Sequence, residues 1–174
     1  MRFVNQTIYD RAALTEYFRV RRRLMRGKTP LFSWLAVAAL ALAELLVIAM
    51  ALMAGEPGQL LRSATFMLIL LIMIFAIVKE DLVQAMITLK KLDPGMKVNE
   101  AVFTDDMFVV STEISEMECE YDRIQYAFET DHYFFFFISK EKGKICDKRG
   151  FEEGDPETFR TFIEEKLGEP LEYI

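Results

Sequence analysis

The spacing of apolar and polar positions divides the chain into stretches of different period. Residues 1–9 (MRFVNQTIY) have strand character, and Asp10 is suited to cap a helix running to about Arg26. In that helix Leu14, Tyr17, Phe18, Leu24 and Met25 share one face. Arg19, Arg22, Arg23 and Arg26 recur at i, i+3, i+4 and i+7 on the other. The periodicity then disappears. Residues 31–54 (LFSWLAVAALALAELLVIAMALMA) carry a single charge, and at ~1.5 Å per residue they form ~36 Å of helix, enough for a hydrocarbon core of about 30 Å. Gly55, Pro57 and Gly58 in GEPGQ end that helix and turn the chain. Residues 60–78 form a second apolar run, with Arg62 snorkelling to the interface. So short a turn cannot return the chain across a bilayer, so the two runs are expected to be antiparallel neighbours. Leu82, Ala85, Met86, Leu89 and Leu92 then resume a helical pattern until Pro94-Gly95 stops it.

From Met96 the period is 2. Val98, Glu100 and Val102, then Phe108, Val110 and Thr112, read as strands flanking a turn at Thr104-Asp105-Asp106. Residues 116–121 (EMECEY) set Met117, Cys119 and Tyr121 on a buried side and Glu116, Glu118 and Glu120 on a wet one. Residues 124–130 and 133–139 are two more strands around Asp131-His132, and 145–148 is a short last one. Strands this closely spaced form antiparallel hairpins. Asp155 as N-cap, Pro156 in the first turn and Gly168 as terminator frame a final helix with Phe159, Phe162, Ile163 and Leu167 on one stripe. The expected fold is therefore an α+β membrane protein: a two-helix transmembrane hairpin plus a meander of about six antiparallel strands closed by a C-terminal helix. It divides into a cytoplasmic arm (1–30), the hairpin (31–78), a juxtamembrane helix and linker (79–95) and a cytoplasmic domain (96–174). In the Phe run 134–137 the rings alternate between the two faces, so some need cover from the N-terminal strand, the arm or a partner.

Composition sharpens this picture. Of 174 residues 52% are hydrophobic, too many for a disordered chain, and two cysteines cannot staple a secreted scaffold. The net charge of −6 is a cancellation: residues 1–30 hold eight Arg and Lys against two acids, residues 31–92 are neutral, and residues 93–174 hold nine against 21. Arg19, Arg21, Arg22, Arg23, Arg26 and Lys28 precede the first run, and Lys79, Lys90 and Lys91 follow the second. By the positive-inside rule both termini are cytoplasmic and GEPGQ faces out, a multi-pass arrangement in the cell membrane. The first run is expected to be a retained span rather than a cleaved signal. Cys119 and Cys146, without a CxxC partner, read as buried small hydrophobes.

Candidate chemistry is sparse. Glu44 falls near the bilayer midplane, where an ionised carboxylate is costly and calls for protonation or a polar partner. Two readings stand: a proton or cation site, or a hydrogen bond to another helix that fixes self-association, with Ala39 and Ala43 allowing close approach. The arm residues Arg19, Arg22, Arg23 and Arg26 suit anionic lipid headgroups, although they would equally set topology while the apolar face packs on the protein's own domain. Lys144, Lys148 and Arg149 are the one basic cluster of the acidic domain. They offer a phosphate cradle, unless Gly150 simply serves a turn. His132 reads as a solvated turn residue. Walker, GxGxxG, HExxH and Cys/His metal spacings are missing, so the expectation is no catalysis, no cofactor, no metal and no nucleic acid.

The order of elements resembles the YcxB-like family of small bacterial membrane proteins. The similarity lies in residues 101–167: the VFTDDMFVVST hairpin, the 126–130 strand leading to DHYFFFF, and KICDKRGFEEGD entering the last helix. The resemblance implies a pleckstrin-homology-like domain behind a membrane hairpin in a bacterial membrane, with no catalytic residues to carry over. The acidic sheet surface speaks against phosphoinositide-style headgroup binding by that domain. The expected role is a non-catalytic, membrane-anchored interaction or regulatory module facing a basic cytoplasmic protein. The alternative is a small oligomer that conducts or senses protons or ions through Glu44.

Overall fold

The computed structural model describes residues 1–25, 29–55 and 57–174. They fall into two compact units, Arg26–Val83 and Met1–Met25 with Gln84–Ile174.

The first unit is a helical hairpin. Helices α2 (Thr29–Ala54) and α3 (Pro57–Val78) run antiparallel, as expected, with Gly55 in the left-handed region (φ 69°) at the turn. Each is covered along one stripe only. Among the described side chains these are Val37, Ala41, Glu44, Ile48 and Ala51 on α2, and Ser63, Met67, Leu70, Ile74 and Ile77 on α3. The spacing alternates three and four, the seam by which two helices pack at a shallow angle. The other described side chains of the two helices are open.

The second unit is α+β. Strands β1 (Phe3–Ile8), β2 (Val98–Phe103), β3 (Met107–Ser111), β4 (Glu116–Glu120) and β8 (Phe151–Glu153) form one sheet in the order β4-β3-β2-β1-β8. Strands β5 (Tyr126–Glu129), β6 (Tyr133–Phe137), β7 (Gly143–Asp147) and β9 (Glu172–Tyr173) form a second, ordered β7-β6-β5-β9. All pairings are antiparallel except β5 with β9. Among the described residues the expected meander of about six strands is thus two sheets with nine strands. Strand β1, assigned from sequence to a separate arm, lies inside the first sheet between β2 and β8. The division at residue 30 therefore does not follow the contacts: residues 1–25 fold with the C-terminal part of the chain.

Strand β2 turns its less obvious side inward. Val98, Glu100 and Val102 carry the alternation in sequence, yet Asn99, Ala101 and Phe103 are the buried set and Val98 and Glu100 are exposed. The register explains this, because Phe103 lies opposite both Phe3 and Phe108, and Ala101 opposite Val110.

Two apolar cores lie on opposite faces of β6. Phe134 and Phe136 join Phe3, Phe103, Phe108, Phe159, Phe162 and Ile163 in the core between the sheets and helix α5 (Pro156–Leu167). Phe135 and Phe137 join Ala13, Leu14, Phe18 and Val20 of helix α1 (Arg11–Met25), with Ala85 of helix α4 (Glu80–Lys91). Burying each Phe contributes roughly 1.5–3 kcal/mol, so β6 is the axis of the unit. Of the covers open from sequence, the arm helix supplies the second. Both helix starts are as read: Asp10 Oδ1 accepts from the Ala13 amide at 2.8 Å. Asp155 Oδ1 accepts from the amides of Glu157 and Thr158 at 3.1 and 2.9 Å, and Gly168 (φ 71°) ends α5.

Candidate functional site

Four places hold the residues singled out by sequence. The first is Glu44. Its half-buried side chain lies on the stripe facing α3, and its Oε1 is buried without a hydrogen-bond partner, as is the hydroxyl of Ser63. Ala39 and Ala43 are exposed, off that stripe. The acid and the small residues, joined in the self-association reading, therefore point to different faces.

The second is the arm helix. Of its apolar face Leu14 and Phe18 are buried and Tyr17 and Leu24 half-buried, whereas Met25 is exposed; Val20, which the periodicity did not single out, is 1% exposed. Tyr17 stacks on Phe137 with centroids 5.4 Å apart. Its hydroxyl donates to the Glu141 carbonyl at 3.3 Å and accepts from the Gly143 amide at 3.2 Å. The arginines are not one uniform stripe. Arg22 is half-buried and engaged by a neighbour, and Arg26 lies outside the described residues. Arg19 and Arg23 are exposed and line a cleft of about 150 Å³ with Glu16, Val20, Thr130, Asp131, His132 and Ile174. Arg21, which falls outside the i, i+3, i+4, i+7 set, sits 5.9 Å from the Phe18 ring with its Nε buried and unpartnered.

The third is the basic cluster. Lys148 Nζ lies 2.6 Å from Glu129 Oε1 and 4.9 Å from the centre of the Phe134 ring. Arg149 pairs with Asp147 at 2.9 Å. Burial raises the Asp147 carboxyl, but the hydrogen bonds and charge of Arg149 outweigh it and leave the group below the usual range. Lys144 is half-buried, and burial pushes its ammonium down. Two of the three cations are thus already matched by carboxylates. Gly150 does serve the turn, and more: its carbonyl accepts from the Gln6 amide at 2.7 Å, and a Cβ there would stand 1.9 Å from the Gln6 carbonyl oxygen. The cluster is a join between β1 and the 147–150 turn.

Sequence reasoning missed two polar arrangements here. Glu129 is 6% exposed and also faces Arg160 Nε at 3.1 Å. Asn5 Nδ2 donates to the Asp147 carbonyl at 2.7 Å, Thr7 Oγ1 donates to Asn5 Oδ1 at 2.8 Å, and the Asp147 amide donates to Thr7 Oγ1 at 2.8 Å. The usable signal was positional: Asn5 and Thr7 fall on the same side of β1 as Phe3. Cys119 and Cys146 are buried free thiols, as expected, and burial raises both.

The fourth is the acidic strand. Strand β4 is the edge of its sheet, with Glu116, Glu118 and Glu120 exposed and Cys119 inward. This is the wet and buried alternation read from EMECEY. Charged side chains on an edge strand also discourage unwanted strand pairing.

No curated protein and no solved structure gives a significant match to the chain. The family comparison does: residues 103–163, running from the end of β2 into α5, match the model described as YcxB-like protein, the family to which the sequence resemblance pointed.

Proposed function

We propose that the chain is an integral membrane protein whose α+β unit works as a non-catalytic interaction module at the cytoplasmic face of a bacterial membrane. The observation that carries this reading is the surface of the hairpin. Trp34–Ala54 and Leu61–Val78 are long and apolar enough to cross a membrane, yet only 11% and 6% of these stretches is buried. Core helices of a soluble protein would be mostly covered, whereas lipid covers an outward-facing apolar helix pair. The flanking Arg and Lys favour both termini in the cytoplasm. Two sheets closed by α5 suit a pleckstrin-homology-like domain, and the net charge of residues 93–174, with β4 at an edge, suits a basic protein partner. Photo-crosslinking from Asp122 in native membranes tests this. A partner whose crosslinking disappears when Glu116, Glu118 and Glu120 are changed to Lys supports the module, and crosslinks indifferent to that reversal contradict it.

A second reading is favoured by Glu44 Oε1, buried without a partner on the hairpin stripe. A carboxyl placed so suits a proton or ion site shared between copies of the hairpin. Liposome flux that Glu44→Gln abolishes would decide for transport.

A further inference from the structure

We propose that the cleft between α1 and the turn joining β5 to β6 binds a zwitterionic phosphodiester head group of the phosphoethanolamine class. Arg19 and Arg23 stand one helical turn apart in its wall, facing the Thr130–His132 side. Both are exposed, and neither has a carboxylate partner among the described residues. Glu16 and Asp131 share the same walls, but each is held by a hydroxyl. Thr130 Oγ1 donates to Glu16 Oε2 at 2.9 Å, and the Tyr173 hydroxyl donates to Asp131 Oδ1. The cleft therefore presents two uncommitted guanidiniums and two carboxylates with acceptor capacity to spare.

That mixture selects the ligand. The cleft of about 150 Å³ has room for roughly five waters' worth of liquid volume. An apolar guest would strip water from four charged side chains without replacing its hydrogen bonds. A simple dianion would meet two carboxylates along with the arginines. A phosphodiester bearing a primary ammonium satisfies both signs: guanidiniums give paired N–H donors to phosphate oxygens, and the ammonium gives N–H donors to Glu16 or Asp131. A quaternary choline lacks those donors, so ethanolamine is preferred over choline. Arg23 precedes Thr29, the first residue of α2, by six positions, which makes the head groups of a bilayer holding α2 a ready source. Only this choice of source, not the site, rests on the membrane reading above.

The single histidine of the chain, His132, lines the cleft and supplies a unique NMR probe. The full chain in maltoside micelles is titrated with glycerophosphoethanolamine, glycerophosphocholine, glycerophosphoglycerol and inorganic phosphate. The expected result is a saturable shift of the His132 ring protons with glycerophosphoethanolamine. Its affinity should fall about tenfold or more when Arg19→Gln and Arg23→Gln are combined, and should hold in Arg11→Gln, on the exposed side of α1. An unchanged circular dichroism spectrum separates lost binding from a lost fold, and Arg19→Lys with Arg23→Lys should retain part of the affinity. An equal response to glycerophosphoglycerol or phosphate would overturn the zwitterion assignment, and no saturable response would overturn the site. In nanodiscs, a His132 shift with phosphatidylethanolamine but not phosphatidylcholine supports the lipid as source. Its absence, with the micelle result intact, overturns that source and leaves the free head group as ligand.

Discussion

Phe134, Phe135, Phe136 and Phe137 are all within 1% of full burial, whereas Leu42, Leu46, Phe66 and Ile72 in the hairpin are 63, 60, 62 and 59% exposed. Both groups sit in stretches that are apolar in sequence. In the α+β unit the chain supplies cover for every ring, with α5 on one side of β6 and α1 on the other. In the hairpin two helices cover each other along one stripe and present the rest outward. The same residue types thus do different work. In one unit they hold the fold together, and in the other they stay exposed, as the proposed membrane hairpin requires. The contrast also assigns the apolar side of the arm helix, which packs with Phe135 and Phe137.

Substitution of aromatic residues tests that contrast most strongly. Phe159 is 0% exposed and contacts Phe3, Phe103, Phe134 and Phe151. Phe159→Ala is expected to cost about 3–5 kcal/mol in chemical unfolding of the α+β unit. Phe66→Ala should cost under ~1 kcal/mol by the same measurement, because it leaves no internal cavity. Comparable losses would erase the distinction between the units.

The seam between β1 and β7 comes next. Gly150→Ala would drive a Cβ into the Gln6 carbonyl oxygen, with an expected loss of about 2–3 kcal/mol in thermal or urea melts. A wild-type melt would mean that β1 is not held there. Asn5→Ala removes the donor to the Asp147 carbonyl and the acceptor for Thr7, for about 1–3 kcal/mol. Amide exchange at Asp147 is its direct readout, since that N–H donates to Thr7 Oγ1.

The smallest effect belongs to the α5 cap. Asp155 is held below the ordinary carboxylate range by the Thr158 hydroxyl first, then by the Thr158 and Glu157 amides. A lowered carboxyl stabilises the fold above its unfolded value of about 3.9 and loses that contribution as pH falls through the folded value. The melting difference between wild type and Asp155→Ala should therefore be full near neutrality and shrink below about pH 4. A difference independent of pH would contradict a charge-assisted cap.

Much of this was legible in the sequence because it rests on local rules. Helix starts at Asp10 and Asp155, the stop at Gly168, the two long apolar runs and the alternation of EMECEY follow from capping, length and period. The partition into two sheets was not legible. It depends on β1 travelling about ninety residues along the chain to pair with β2, a contact without local signature. The phase of β2 was misleading because a valine set competed with Asn99, Ala101 and Phe103, and only the partners across the sheet settle which side is inward. At the candidate sites the residues were visible but their company was not. Lys148 and Arg149 looked free until Glu129 and Asp147 were placed beside them. Arg19 and Arg23 stood out from Arg22 only once the 130–132 turn was brought against α1.

The most direct test of a membrane hairpin carrying a sealed cytoplasmic unit is thiol labelling in intact cells with a membrane-impermeant maleimide. Cys119 and Cys146 are 3% and 1% exposed, so the native background is low. Gly58→Cys, in the first turn of α3, should label in intact cells. Lys140→Cys, exposed between β6 and β7, should label only after permeabilisation. Labelling of both positions only after permeabilisation, or of both in intact cells, would contradict the hairpin.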